Sequence, residues 1–286
     1  MRYVLLATLF VFGCSDESHP IADMAAPADL GRAVPDLYGL EPTDGGGNCL
    51  TVMPAGYHPY VAIELFGHTA SDAPVQQISE VWASIGIATG SDVAPAGFGC
   101  QVDVPFTGPN SMSLQESGGS ITVSGGTRAI TFEPDANDNY AFYDKSALWP
   151  GNTQLGIDIG GACDVPSKHF DLLMPKSIVL MTPAPNAVVS RGSDLDVTWT
   201  PGSGTVHLSL ANAGVGVSCV FDASIGSGTI PKATLAKLSL GSASLGMELG
   251  SEVFNNENGR TYRVSTTADI LLPNGAGFAG RSITLQ

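Results

Sequence analysis

The sequence predicts an all-β protein: two antiparallel β-sandwich-like domains behind a short apolar leader and a polar tether. Three observations carry that prediction. Gly and Pro number 35 and 19 of 286 residues, a density that suits many turns and few long helices. Apolar and polar residues alternate with period 2 in run after run, the spacing of strands with one buried face. Turn-forming Gly, Asn and Asp cluster between those runs.

The leader comes first. Arg2 is followed by an apolar stretch from Tyr3 to Gly13. Such a stretch is too short for a bilayer core of about 30 Å, which needs about 20 helical residues. A basic start with a short apolar centre is the pattern of an export signal. Val11-Phe12-Gly13-Cys14 then resembles the lipobox of bacterial lipoproteins, with a branched aliphatic residue three places before the Cys and a small residue just before it. Phe12 is larger than the family's usual residue at its position. The resemblance implies cleavage after residue 13, lipidation of Cys14 and attachment to membrane lipid through the acylated Cys14. Ser15 behind it implies outer-membrane delivery, so the expected location is the cell envelope as an outer-membrane lipoprotein. Several acyl chains on one residue exceed the two signals that stable anchoring requires.

Residues 14–48 read as the lipidated Cys and a flexible acidic tether. Seven acidic residues face one Arg32 there, with four prolines and Gly45-Gly46-Gly47. This composition cannot bury enough apolar surface to order itself. As a coil it spans roughly 30–35 Å, a spacer between lipid and folded domains.

Residues 49–172 read as a β-rich domain, predicted to be a sandwich. Val61, Ile63 and Leu65 alternate, as do Val81, Ala83, Ile85 and Ile87. Strands follow at Ile121–Val123, Ile130–Phe132, Tyr140–Tyr143 and Leu155–Ile157, separated by Gly118-Gly119, Gly125-Gly126, Asn137–Asn139 and Gly160-Gly161. The last domain is assigned to 173–286. Its run Leu195-Asp196-Val197-Thr198-Trp199-Thr200-Pro201 resembles the second strand of fibronectin type III and related immunoglobulin-like domains. Gly259 to Val264 resembles that family's late strand, with Tyr262 and Val264 pointing inward. Trp199 and Tyr262 lie further apart than the usual module allows, and Pro231–Leu238 predicts a short helix in the extra length.

Once Cys14 is assigned to lipid, Cys49, Cys100, Cys163 and Cys219 remain. An even number in an exported chain predicts two disulfides, with three pairings open. No CxxC spacing points to zinc or thiol-redox chemistry.

Charge and motifs bound the function. Twenty-seven acidic residues stand against 12 basic ones, a formal net charge of −15, which argues against nucleic acid as a partner. No G-x-S-x-G, H-E-x-x-H or nucleotide-binding glycine motif occurs, so neither an enzyme nor a cofactor is expected. The alternative is an envelope hydrolase whose acid, base and nucleophile converge only in the fold. Asp135, Asn137 and Asn139 follow the D-x-N-x-N start of a calcium loop, but Tyr140 and Ser146 replace the Gly and Glu it requires, so a polar turn is the stronger reading. Tyr143 and Trp149 are the candidates for a glycan platform, since one face of the 140–143 strand must be core and the other is free. The sequence thus predicts a lipid-anchored envelope protein for binding, adhesion or structural interaction, with an unknown protein or polysaccharide as partner.

Overall fold

Period-2 alternation is realised almost everywhere in the computed structural model, which describes residues 40–42, 48–50, 55, 57–69, 77–89, 97–103, 112–278 and 280–286. The leader, Cys14 and most of the tether lie outside the described residues. Strands β1 (Leu40–Pro42), β2 (Asn48–Leu50), β3 (Tyr57–Thr69), β4 (Gln77–Thr89), β5 (Gly99–Asp103), β6 (Met112–Gln115), β7 (Ile121–Ser124), β8 (Ile130–Phe132), β9 (Tyr140–Asp144), β10 (Thr153–Ile159) and β11 (Lys168–Met174) precede residue 175. Beyond it run β12 (Ile178–Thr182), β13 (Val188–Val189), β14 (Leu195–Trp199), β15 (Thr205–Asn212), β16 (Val215–Asp222), β17 (Ser227–Ile230), the short helix α1 (Lys232–Leu235), β18 (Gly241–Glu257), β19 (Arg260–Ala268), β20 (Ile270–Leu271) and β21 (Arg281–Leu285). The all-β class is as predicted, and α1 falls within the predicted 231–238 helix.

One long sheet organises the molecule, in the order β5–β16–β15–β18–β19–β3–β4, with β6 and β9 pairing different parts of β4. Its buried face reads continuously across strands. Leu208, Leu249 and Val264 lie on one side with Val61, Ile63 and Leu65, and each of the last three is fully buried. Two smaller sheets cover that face. The sheet β11–β10–β7–β8 stands over the β19–β3–β4 end, where Phe170 meets Tyr262 at 5.7 Å between ring centroids. The sheet β17–β14–β12–β20 stands over the other end, where Trp199 meets Phe221 at 6.1 Å.

This arrangement corrects the predicted division at 172/173. β3 pairs in parallel with β19 from Tyr60↔Thr261 to Gly67↔Ala268, and β5 pairs with β16 around Cys100↔Cys219. Both pairings cross the boundary, and the chain from Leu37 to Gln286 forms one compact unit. The two small sheets share the long sheet as a wall, over one continuous hydrophobic core. Most pairings are antiparallel, as predicted, while β3–β19, β12–β20 and β13–β21 run parallel.

The C-terminal half keeps an immunoglobulin-like connectivity. β12, β14 and β17 form one sheet, and β16, β15, β18 and β21 the other, with β13 crossing to pair with β21. Trp199 is core, as predicted: it is 3% exposed, and its indole N–H donates to the Ala223 carbonyl at 2.9 Å. Tyr262 is not its partner across the sandwich. β18 continues past β15, turns at Asn258-Gly259 and returns as β19, so Tyr262 packs under the other small sheet, against Phe170. Asn258 and Gly259 both hold positive φ, 52° and 78°, as a two-residue hairpin turn requires.

The four cysteines pair as Cys49–Cys163 and Cys100–Cys219. The two closed loops interleave along the chain, and the second bridge ties β5 to β16 directly across the ladder.

Candidate functional site

The two small sheets cover one face of the long sheet, and the opposite face supplies the candidate site. Strand register defines it. In one row across β3, β4 and β9 stand Phe66, Glu80 and Tyr143; in the next stand Glu64, Trp82 and Ala141. These residues alternate with the buried Leu65, Val81 and Ala83 and the half-buried Phe142, so the pleat alone sends them outward. Trp82 and Tyr143 are 55% and 54% exposed, unusual for side chains this large and apolar. They are diagonal neighbours on adjacent strands, about 7–8 Å apart at the backbone. The Trp82 indole N–H donates to Glu80 Oε2 at 3.3 Å. Further along the same face Arg263 pairs with Glu252 at 2.5 Å, in a shallow trough that Glu64, His207 and Glu248 also line.

Of the two predicted platform residues, Tyr143 is on this face and Trp149 is not. Trp149 is 4% exposed, packed where Gly126 leaves room for its ring, so its place on a glycan platform is withdrawn. The residue that sequence reasoning missed is Trp82. The signal was present, because the alternation of Val81 with Ala83 already put Trp82 on the opposite face.

The calcium candidates close the β8–β9 connection as an Asx turn. Asp135 Oδ1 accepts the backbone N–H of Asn137 at 2.7 Å and of Asn139 at 2.9 Å, and the Asn139 side-chain amide at 3.2 Å. The Asn139 backbone bond, first among these, holds the Asp135 carboxyl below its ordinary value. That oxygen is committed to the turn, and no group of three or more His, Cys, Asp or Glu among the described residues could hold a metal ion.

A dispersed hydrolase site has one candidate, on the outer face of the β11–β10–β7 sheet. His169 Nδ1 lies 2.6 Å from Asp158, its Nε2 lies 3.3 Å from Asp171, and Ser124 is nearby. A catalytic base needs one ring nitrogen free to take a proton from the nucleophile. Here both nitrogens face carboxylates, and the Asp158 bond foremost raises the imidazole pKa. The Ser124 hydroxyl donates to the Gly156 carbonyl instead. This cluster is therefore not a base–nucleophile pair.

A buried ionic cluster lies between the two halves of the sequence. Arg260, 4% exposed, donates to Glu116 at 2.9 Å and to Asp164 at 2.9 Å, while the second oxygen of the buried Glu116 accepts nothing. Loss of hydration pushes the Glu116 carboxyl from 4.5 to about 7, against the opposing pull of Arg260. A carboxyl raised on folding contributes stability that is full below its unfolded pKa and is lost as pH climbs through the folded one. His169, raised above 6.5, adds a smaller change of the same sign. The lowered Asp135, Asp144 and Asp222 act oppositely, losing their contribution as pH falls below about 3.8. The melting temperature is therefore expected to peak near pH 5 and to fall by pH 8. Glu116→Gln should flatten the alkaline limb, and an unchanged limb in that variant would refute the assignment.

The sequence matches no protein-family model and no curated protein. Among solved structures, the chain is similar to the fibronectin type III domains FN1–FN3 of chicken CNTN1, with 10% identity, a TM-score of 0.25, and 76% of this chain and 67% of that one covered. A 1.5-MDa bacterial ice-binding adhesin, described for its host cell surface retention, overlaps at 11% identity and a TM-score of 0.18, over 77% of this chain and 66% of its own. A calcium-stabilised adhesin that helps an Antarctic bacterium bind ice overlaps at 9% identity and a TM-score of 0.17, over 79% and 68%. Overlaps this shallow fix neither fold nor partner. The strand order itself establishes the all-β sandwich architecture.

Proposed function

We propose that this chain is an exported, lipid-anchored binding module of the cell envelope. Cys14 carries the lipid, the acidic segment behind it is the spacer, and the outer face of the long sheet meets the partner. One observation supports that choice of face above the others: Trp82 and Tyr143 stand together and exposed on a broad sheet. Soluble surfaces rarely leave neighbouring large rings uncovered without an interaction to use them. A β-sandwich scaffold presenting such a face suits binding, adhesion or structural interaction.

Two measurements test the reading. Cys14→Ser is expected to move the protein from the membrane fraction to the soluble fraction, or to leave the leader uncleaved. Unchanged fractionation and processing would remove the anchor from the proposal. A photo-crosslinking residue at Ala141, beside Trp82, is expected to give an adduct on intact cells, and the same residue at Asp171, on a different sheet face, is not. Equal labelling from both positions would sink the choice of face.

A further inference from the structure

From the pattern of the outer face we infer its partner class: an extended, basic protein segment that presents lysine or arginine at alternate positions. This rests on the face proposed above and goes on to name what it takes.

The array is a checkerboard of rings and acids. Glu80 sits between Phe66 and Tyr143 in one row, and Glu64 sits beside Trp82 in the next. A cation over an indole or phenol ring is attracted by the ring's negative face, and an adjacent carboxylate accepts its N–H groups. Both components stand at neighbouring positions here.

Hydrogen-bond capacity separates a cation from a neutral sugar. Carboxylates only accept, and the Trp82 indole N–H already donates to Glu80. What these six positions offer is therefore acceptor oxygen beside ring surface, apart from the Tyr143 hydroxyl at the margin. An ammonium or guanidinium only donates, so all of its polar capacity is matched. A sugar hydroxyl both donates and accepts, and its accepting lone pairs find no donor at the centre of the array. Charge disfavours a second copy of the chain. Its formal net charge is −15, and the face carries Glu64, Glu80, Glu248 and Glu252 against the already paired Arg263.

Spacing selects an extended segment. Glu64 and Glu80 are diagonal neighbours on paired strands, about 7–8 Å apart at the backbone. Alternate residues of an extended chain lie about 6.6 Å apart on one face, which brings two basic side chains to two acids. Ala141, small and exposed beside Trp82, leaves one flank of the indole open.

The test uses the folded protein and three defined ligands followed by calorimetry: a peptide of about ten residues alternating arginine and serine, its glutamate–serine counterpart, and a neutral hexasaccharide of N-acetylglucosamine. The arginine peptide is expected to bind and to weaken with added salt; the other two are not. Trp82→Ala should weaken it about tenfold, the change that loss of a cation–π contact produces when the cation is partly desolvated. Glu64→Gln with Glu80→Gln should weaken it comparably, and Asp171→Asn on the other face should change it less than about twofold. Trp82 is exposed, so an unchanged melting temperature confirms that its loss leaves the fold intact. Three outcomes would overturn the inference: no arginine-peptide binding, binding indifferent to Trp82→Ala, or hexasaccharide binding that depends on Trp82. Failure here with a surviving Ala141 adduct leaves the face and replaces its ligand. Loss of the Ala141 adduct with peptide binding intact removes the face from the function in cells.

Discussion

Arg260→Ala is expected to destabilise the folded unit by about 3–5 kcal/mol at pH 8, because it leaves a buried carboxylate with no compensating charge. Among the described residues Arg260 is the cation that faces the buried Glu116, and it also holds Asp164, next to the Cys163 bridge. Three connections meet at this guanidinium: the residue after β6, the loop before β11 and the first residue of β19. In the variant Glu116 escapes part of the penalty by taking up a proton. The loss should therefore be smaller at pH 5 than at pH 8. Glu116→Gln combined with Arg260→Ala should recover much of the alkaline deficit, since no charge then remains to be desolvated. Denaturant titrations of the four forms at both pH values give the comparison. A loss below about 1 kcal/mol at pH 8 would mean that Arg260 and Glu116 are solvated and unpaired.

The second large effect is expected from the bridge between β5 and β16. Replacing Cys100 and Cys219 together by Ala should cost about 2–5 kcal/mol, because the bridge closes a segment with a sequence separation of 119 and restricts the unfolded chain. β5 is an edge strand of five residues, with a single pairing partner in the long sheet. It has little besides that bridge and one ladder to hold it, so its amides should be the first to gain exchange. The urea midpoint should fall by about 1 M. Peptide mapping under non-reducing conditions should return the pairs 49–163 and 100–219. Any other pairing would contradict the register in which Cys100 faces Cys219.

What could be read from the sequence follows from what periodicity encodes. Alternation tells which way a side chain points. Val61, Ile63, Leu65, Val81, Leu195, Val197 and Trp199 were therefore assigned to the core and are there. Alternation does not tell which strand lies beside which. Nothing in Tyr57–Thr69 announces that it pairs with residues beyond 260, and that missing information produced the boundary at 172/173. Tyr262 points inward as its strand pattern says, but that pattern does not tell that it packs against Phe170. Asn258-Gly259 was a legible hairpin signal and would have shown β18 and β19 to be one long ribbon. At the candidate site Tyr143 was found because its strand was recognised. Trp82 lies between Val81 and Ala83, whose alternation points it outward, but alternation alone does not show that Tyr143 stands beside it. Trp149 carries no alternation that fixes its direction, and only packing decides its place.

The parallel pairing of β3 with β19 has a consequence for the order in which the protein can be completed. Chains are made from the amino terminus, and a strand can close only onto what already exists. β4 follows β3 and covers one of its edges soon after, but Tyr60 must wait for Thr261. During that interval a strand whose inner face carries Val61, Ile63 and Leu65 shows unpaired backbone to its surroundings, the condition in which edges join the wrong partner. A fragment ending at residue 172 would remain in that condition permanently and is expected to aggregate, whereas the full chain brings its own closing strand. The protein is finished only when its last third arrives.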